Sequence, residues 1–191
     1  KILETDRLIL RTWSDNDLQP MLEINQDPKV MEYFPGLQDL EKTKNFIAKV
    51  NNHFDKYGYS LYATVRKDND EFIGFLGLLM ADFEACFTPA TEIGWRLSTK
   101  HWGQGFATEA AAVVLDYAFR ELKLPEIVSF TAEGNAKSIR VMQKIGLQHN
   151  ARDDFDHPKL DNTSILKRHV LYRLTRQDYL MGPLKIRSFS K

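Results

Sequence analysis

The chain has 191 residues, 43% apolar and 27% charged, with Lys plus Arg and Asp plus Glu balanced at 26 each. That size supports one globular domain with a full core, and the balanced charge lacks the basic excess of a nucleic-acid binder. A single cysteine, Cys86, excludes an internal disulfide and a cysteine metal cage, and no apolar run reaches the length of a membrane span; with no signal-peptide pattern at the start, a cytoplasmic protein is expected.

Arg7 to Arg11 (RLILR) reads as a first strand. Ser14 with Asp17 three residues on resembles a capping box, opening a short helix through Leu18, Met21 and Leu22 that stops near Asp27-Pro28. Val30 to Pro35 is irregular and aromatic; Tyr33 and Phe34 are expected to pack the helices onto a sheet rather than to line a cleft. A second helix is expected from about Leu40 to Phe54. Ser60 to Arg66 and Phe72 to Leu79 read as strands flanking a polar turn, and Met80 to Ala90 as a loop in which Cys86 packs as a small side chain. Thr91 to Leu97 alternates, with Ile93, Trp95 and Leu97 on one face and Glu92, Gly94 and Arg96 on the other. Gly94 suggests a bulge or a close backbone approach.

His101 to Ala110 (HWGQGFATEA) places Gly103 and Gly105 between that strand and a long apolar-striped segment, Ala107 to Leu122. Strand, glycine turn and helix in that order leave unpaired amide N–H groups at the helix start, which favour a phosphate or pyrophosphate. A plain connecting turn would read the same way, and the spacing is neither a P-loop nor a dinucleotide fingerprint. Along the helix Ala107, Ala111, Val114, Ala118 and Leu122 form the apolar stripe, and Glu109, Asp116, Arg120 and Lys123 the polar back.

Pro125 ends the helix, and Ile127 to Ala132 reads as another strand. Asn135 to Leu147 (NAKSIRVMQKIGL) is a short helix closed by Gly146. Asn135 suits an N-cap, whereas Ser138 on the apolar side is less easily explained by capping. Gln148 to Phe155 and Lys167 to Leu174 complete the strands, and residues 181–191 read as a tail behind a domain of residues 1–180. The expected order is β-αα-βββ-α-β-α-ββ, an α+β domain on one mixed sheet.

Four separated stretches, TDRLILR, EIGWRL, WGQGFATEA and NAKSIRVMQKIGL, occur in an order that resembles the GNAT superfamily of acetyl-CoA-dependent N-acetyltransferases, in its RimJ/RimL-like branch. The resemblance implies a mostly antiparallel sheet of about seven strands with a splayed central strand and about four helices. It implies that main-chain N–H groups of Gly103, Gln104, Gly105, Phe106, Ala107 and Thr108 hold the pyrophosphate, and that the pantetheine arm pairs with the strand at Trp95, Arg96 and Leu97. An N–H there would polarise the thioester carbonyl. Trp102 stands where the family's Q/R-x-x-G-x-G/A loop has Gln or Arg. Met142 stands where many members carry an acidic Tyr. By the same carry-over Ser138 is the candidate acid toward the leaving thiolate, and Asn135 orients the pantetheine.

The amine acceptor must lose a proton, and Glu92 is the candidate base, against its reading as a surface charge. The acidic run Asp153, Asp154 and Asp156 reads as a solvated loop, or as an attractor for a cationic amine. His157 with His169 lacks a third metal ligand, and no metal is expected. The function implied is acetyl transfer from acetyl-CoA to a primary amine, a protein N-terminal α-amine or a small-molecule amine, by direct attack in a ternary complex. A non-catalytic CoA-binding sensor or interaction module is the rival. An acyl-CoA hydrolase lacks a Ser-His-Asp order. Monomer and homodimer both remain open, with neither nucleic acid nor membrane as partner.

Overall fold

A computed structural model describes residues 1–182. Among the described residues nine strands form one sheet: β1 (Leu3–Glu4), β2 (Leu8–Arg11), β3 (Leu61–Arg66), β4 (Phe72–Ala81), β5 (Ala90–Leu97), β6 (Glu126–Ala132), β7 (Gln148–His149), β8 (Phe155–Asp156) and β9 (Arg168–Thr175). Their spatial order is β1-β2-β3-β4-β5-β6-β9-β7, with β8 also on β9. Every pairing is antiparallel except β5 with β6. The fold is the expected α+β domain, with more strands than expected because short pairings carry no alternation to read. Gln148 to Phe155 is one such case: a single helical turn, Ala151–Asp153, divides it into β7 and β8.

The helices are α1 (Leu18–Gln26), α2 (Leu40–Tyr57), α3 (Phe106–Asp116), α4 (Ala136–Lys144) and α5 (Arg176–Met181). Asp17 accepts from the Ser14 N–H at 2.8 Å, so the anticipated box forms, closing a tight turn ahead of α1. α2 runs three residues past Phe54 because nothing stops it before Gly58, whose φ of +75° makes the left-handed cap. α3 is α-helical to Asp116 and then widens into a π turn, Tyr117–Glu121, with Leu122 N–H on the Tyr117 carbonyl at 3.0 Å. α4 ends in a Schellman arrangement: Leu147 N–H reaches the Met142 carbonyl and Gly146 N–H the Gln143 carbonyl, both at 3.1 Å.

Two apolar layers sandwich the sheet. On one face α3 and α4 bury Ala110, Ala111, Val114, Ala118, Met142 and Ile145 against Leu8, Leu76, Ile93 and Ile127. On the other, α1 and α2 bury Met21, Ile24 and Val50 against Leu61 and Phe75. A third cluster, Phe87, Val128, Phe155 and Leu171, covers the β6–β9 half of the sheet. Glu109 departs from the expected polar back of α3, being 4% exposed and bonded to the N-terminal hairpin. Cys86 also departs from expectation, since it is exposed. Residues 183–191 of the expected tail lie outside the described residues; α5 is part of the domain, its Tyr179 ring 4.9 Å from that of Phe119.

Candidate active site

Gly103 and Gly105 both adopt left-handed backbone, with φ of +74° and +83°. That sharp turn delivers the chain to α3, with Gly105 as its N-cap. The first intrahelical bond is Glu109 N–H to the Gly105 carbonyl, at 3.0 Å. The N–H groups of residues 103–108 therefore donate to no protein acceptor among the described residues. They are six donors at the positive end of a helix, the arrangement that suits a diphosphate.

The turn is held from behind. The Arg7 guanidinium donates to the Gln104 carbonyl at 3.0 Å and to the Glu109 carboxylate at 2.6 Å, and lies 4.3 Å over the Phe106 ring. Glu109 also accepts from the Thr5 hydroxyl at 2.5 Å and the Arg7 N–H at 3.0 Å. In front, the Trp102 indole N–H donates to the Leu97 carbonyl at 2.8 Å, and the Lys137 ammonium of α4 sits 4.1 Å over the Trp102 ring.

β5 and β6 part company almost at once. Glu92 with Val128 is their single register pair, followed by the Ser129 hydroxyl on the Ile93 carbonyl at 2.9 Å. Beyond it β5 keeps only β4. Ser98 N–H bonds the Ile73 carbonyl, so Arg96, Gly94 and Glu92 exchange hydrogen bonds with β4, while the main chain of Trp95 and Leu97 faces the gap. This corrects one sequence reading: Arg96 does not offer its main chain to the gap. Trp95 and Leu97 do, with the Leu97 carbonyl already taken by Trp102.

The chain that carries this opened strand and turn is similar to known proteins. The acetyltransferase (GNAT) domain family matches residues 7–148. YkkB of Bacillus subtilis is 35% identical over 149 residues, covering 78% of this chain and 86% of that one. The N-acetyltransferase p20 of Bacillus licheniformis is 30% identical over 148 residues, covering 76% and 82%. The crystal structure of a GNAT-family acetyltransferase from Bacillus anthracis superposes with a TM-score of 0.75 at 26% identity, covering 92% of this chain and 98% of that one. The chain belongs to the GNAT acetyltransferase family. It is an acetyl-CoA-dependent N-acetyltransferase of the RimJ/RimL-like type and binds acetyl-CoA and an acceptor amine.

In this GNAT chain the α1/α2 face of β5 carries Glu92, Gly94 and Arg96. Glu92 is half-buried and makes no hydrogen bond or ion pair among the described residues; desolvation pushes its carboxyl up to about 8, with Lys49 of α2 pulling the other way. Gly94 sits in regular register, without the bulge that its presence suggested. A Cβ there would meet only Glu92 Oε1 at 3.6 Å and Leu61 at 4.0 Å, so no backbone crowds it either.

Arg96 is 8% exposed. Its Nη1 donates to Asn25 Oδ1 at 2.6 Å, its Nε has no partner, and the guanidinium lies 4.1 Å over Phe34. No carboxylate pairs with it among the described residues, and burial alone lowers it to about 10. Phe34 thus packs as expected. Tyr33 reaches further: a Cβ on Gly134 would lie 3.4 Å from its ring, so the α1–α2 connection meets the β6–α4 turn.

On α4, Asn135 is the N-cap, its Oδ1 accepting from Ser138 N–H at 3.2 Å and its Nδ2 donating to Thr131 at 2.9 Å. The Ser138 hydroxyl is part-buried and makes no hydrogen bond among the described residues. Met142 is 1% exposed and belongs to the core. The acidic run is neither free nor merely solvated: Asp153 pairs with Arg173, Asp154 with His149 and Asp156 with Arg168. The His157 and His169 rings lie 5.0 Å apart, tilted at 51°, among Phe83, Phe130 and Phe155, and no group of three or more metal-ligating side chains occurs among the described residues. No helix among them is long and apolar enough to cross a membrane.

Sequence reasoning missed the Arg7–Glu109 anchor, Lys137 and the Arg96 side chain. The first had a signal, since Thr5, Arg7 and Glu109 all lie inside the quoted motifs. The other two need the strand gap and the α1–α2 connection in place before they mean anything.

Proposed function

We propose that acetyl passes directly from acetyl-CoA to a primary amine within a ternary complex. The single observation that carries this reading is the set of partnerless N–H groups at residues 103–108 beside the opened strand β5. Those amides hold the pyrophosphate, and the main chain of Trp95 and Leu97 holds the pantetheine arm. A β5 N–H at the gap stabilises the oxyanion. Glu92, near neutrality in its proton affinity, takes the ammonium proton directly or through water, which frees the lone pair. The amine nitrogen then bonds to the acyl carbon, the carbon–sulfur bond breaks, and the second proton shed by the nitrogen goes to the departing thiolate, which leaves beside the Ser138 hydroxyl. Asn135 keeps α4 in place by its cap and orients the arm. Cys86 lies exposed on the β4–β5 connection, and no acyl-enzyme is invoked.

The test is initial-rate kinetics with acetyl-CoA and a panel of amines, following thiol release and acetylated product. Intersecting patterns with dependence on both substrates are expected. Tight CoA binding by calorimetry with no thiol released from any amine would sink the transferase reading in favour of a CoA sensor.

A further inference from the structure

Along the α1/α2 face, β5 presents a carboxyl at Glu92, no side chain at Gly94 and a guanidinium at Arg96. The first and last Cα atoms are roughly 13 Å apart on an extended strand. Burying a guanidinium without a counter-ion is costly unless an anion arrives to pair with it. Asn25 is a neutral partner, itself tied to Thr43 at 2.9 Å, so it fixes the direction of Arg96 without balancing its charge. Phe34 and Phe75 flank the guanidinium at 4.1 and 5.4 Å and leave its edge as the polar surface. The pantetheine is uncharged, and the phosphates belong at residues 103–108, so acetyl-CoA does not supply the anion. The Arg96 side chain leaves β5 on the face opposite α3, one residue from the Trp95 main chain.

We infer that the acceptor is an amine that also carries a carboxylate, which pairs with Arg96 while the ammonium is drawn toward Glu92 along β5 past Gly94, which carries no side chain. This rests on the transferase reading and names its substrate class. Two sources share that chemistry: a free amino acid, and a peptide end with an acidic side chain near its amine.

The experiment compares acceptors of equal length that end in a carboxylate or in the carboxamide, as free ω-amino acids and as short peptides with Asp or Asn in second place. Wild-type enzyme should favour the carboxylate by about tenfold or more in kcat/KM, and whichever arm shows the preference identifies the source. In Arg96→Gln the preference should shrink to about twofold or less, and Arg96→Lys should restore part of it. Gly94→Ala fits the distances around Gly94, so it should fold. It should raise the acceptor KM several-fold, about 3-fold or more, and move the acetyl-CoA KM less.

Equal use of carboxylate and carboxamide by the wild type overturns the inference, as does a preference that survives in Arg96→Gln. Turnover of neutral amines alone overturns it and leaves the transferase reading standing. Acetyl-CoA binding without turnover of any amine removes both.

Discussion

The carboxylate of Glu109, in the first turn of α3, is bonded by the guanidinium and the main-chain N–H of Arg7, more than a hundred residues earlier in the chain. Arg7 also holds the Gln104 carbonyl at 3.0 Å, so one side chain ties the N-terminal hairpin to the cofactor turn. Arg7→Ala leaves a buried carboxylate without its cation. We expect about 2 kcal/mol of destabilisation and a raised KM for acetyl-CoA, because the loop loses its anchor behind the amides. Thermal melting and initial-rate kinetics check both. Glu109→Gln, which keeps shape and acceptor oxygen, should recover part of the stability.

Gly105 has a different burden, since its φ of +83° is a conformation that L side chains seldom adopt. Gly105→Val adds about 1–2 kcal/mol of backbone strain at the helix N-cap. The added Cβ meets only Arg7 Nη2, at 3.5 Å, so the fold should survive. Calorimetry should show acetyl-CoA binding reduced beyond detection while circular dichroism stays native; normal affinity in this variant would contradict the placement of the pyrophosphate.

These cases show what was legible in the sequence. The αL glycines, the α3 stripe and the Asn135 cap depend on neighbours in sequence, and their periodicity or spacing gave them away. Helical phase puts Glu109 with Asp116 and Arg120, and only the folded hairpin supplies the Thr5 and Arg7 that bury it. The π turn after Asp116, the short pairings of β7 and β8, and the partners of the acidic run depend on tertiary contacts that leave no periodic mark. Motif position assigns Arg96 to the pantetheine; strand parity turns its main chain to β4 and leaves its side chain facing the α1/α2 layer.

Glu92 gives a pH signature in two observables. Its carboxyl is pushed up to about 8 in the folded protein by desolvation, from 4.5. The folded state therefore binds the extra proton between these values, so stability from this group is present below pH 4.5 and is lost as pH rises through about 8. Glu92→Gln should be more stable than the parent at pH 9, by at least about 1 kcal/mol, and closest to it in acid. The base role runs the other way: kcat/KM of the parent should climb with pH and level off above about 8, and Glu92→Gln should flatten that limb. An unchanged limb would remove Glu92 from proton abstraction.

Asn135 and Ser138 separate structure from chemistry on a single helix. Asn135→Ala removes the cap on the Ser138 N–H and should cost about 1 kcal/mol of stability. Ser138→Ala leaves that N–H bond intact, so melting should hardly move, while kcat falls by about tenfold or more if the hydroxyl receives the thiolate. Equal kcat in Ser138→Ala and the parent would return Ser138 to an ordinary first-turn residue.

Lys137 addresses the departure at Trp102. An indole cannot bring charge to a phosphate, yet the Lys137 ammonium lies 4.1 Å over that ring, delivered from α4 on the far side of the gap. Trp102 is in turn fixed to β5 through the Leu97 carbonyl. A cation that spans the gap from α4 to the segment leading into the glycine turn is placed to meet an arriving diphosphate, and the ring holds it there at a modest cost of about 0.5–1 kcal/mol to release. Lys137→Ala should therefore raise the acetyl-CoA KM by about 3- to 10-fold, an effect that salt diminishes, with kcat changed little. Lys137→Arg should preserve affinity, since charge and stacking both persist. A Lys137→Ala enzyme whose acetyl-CoA KM matches the parent at low salt would confine Lys137 to packing on Trp102 and leave the phosphates to the main chain.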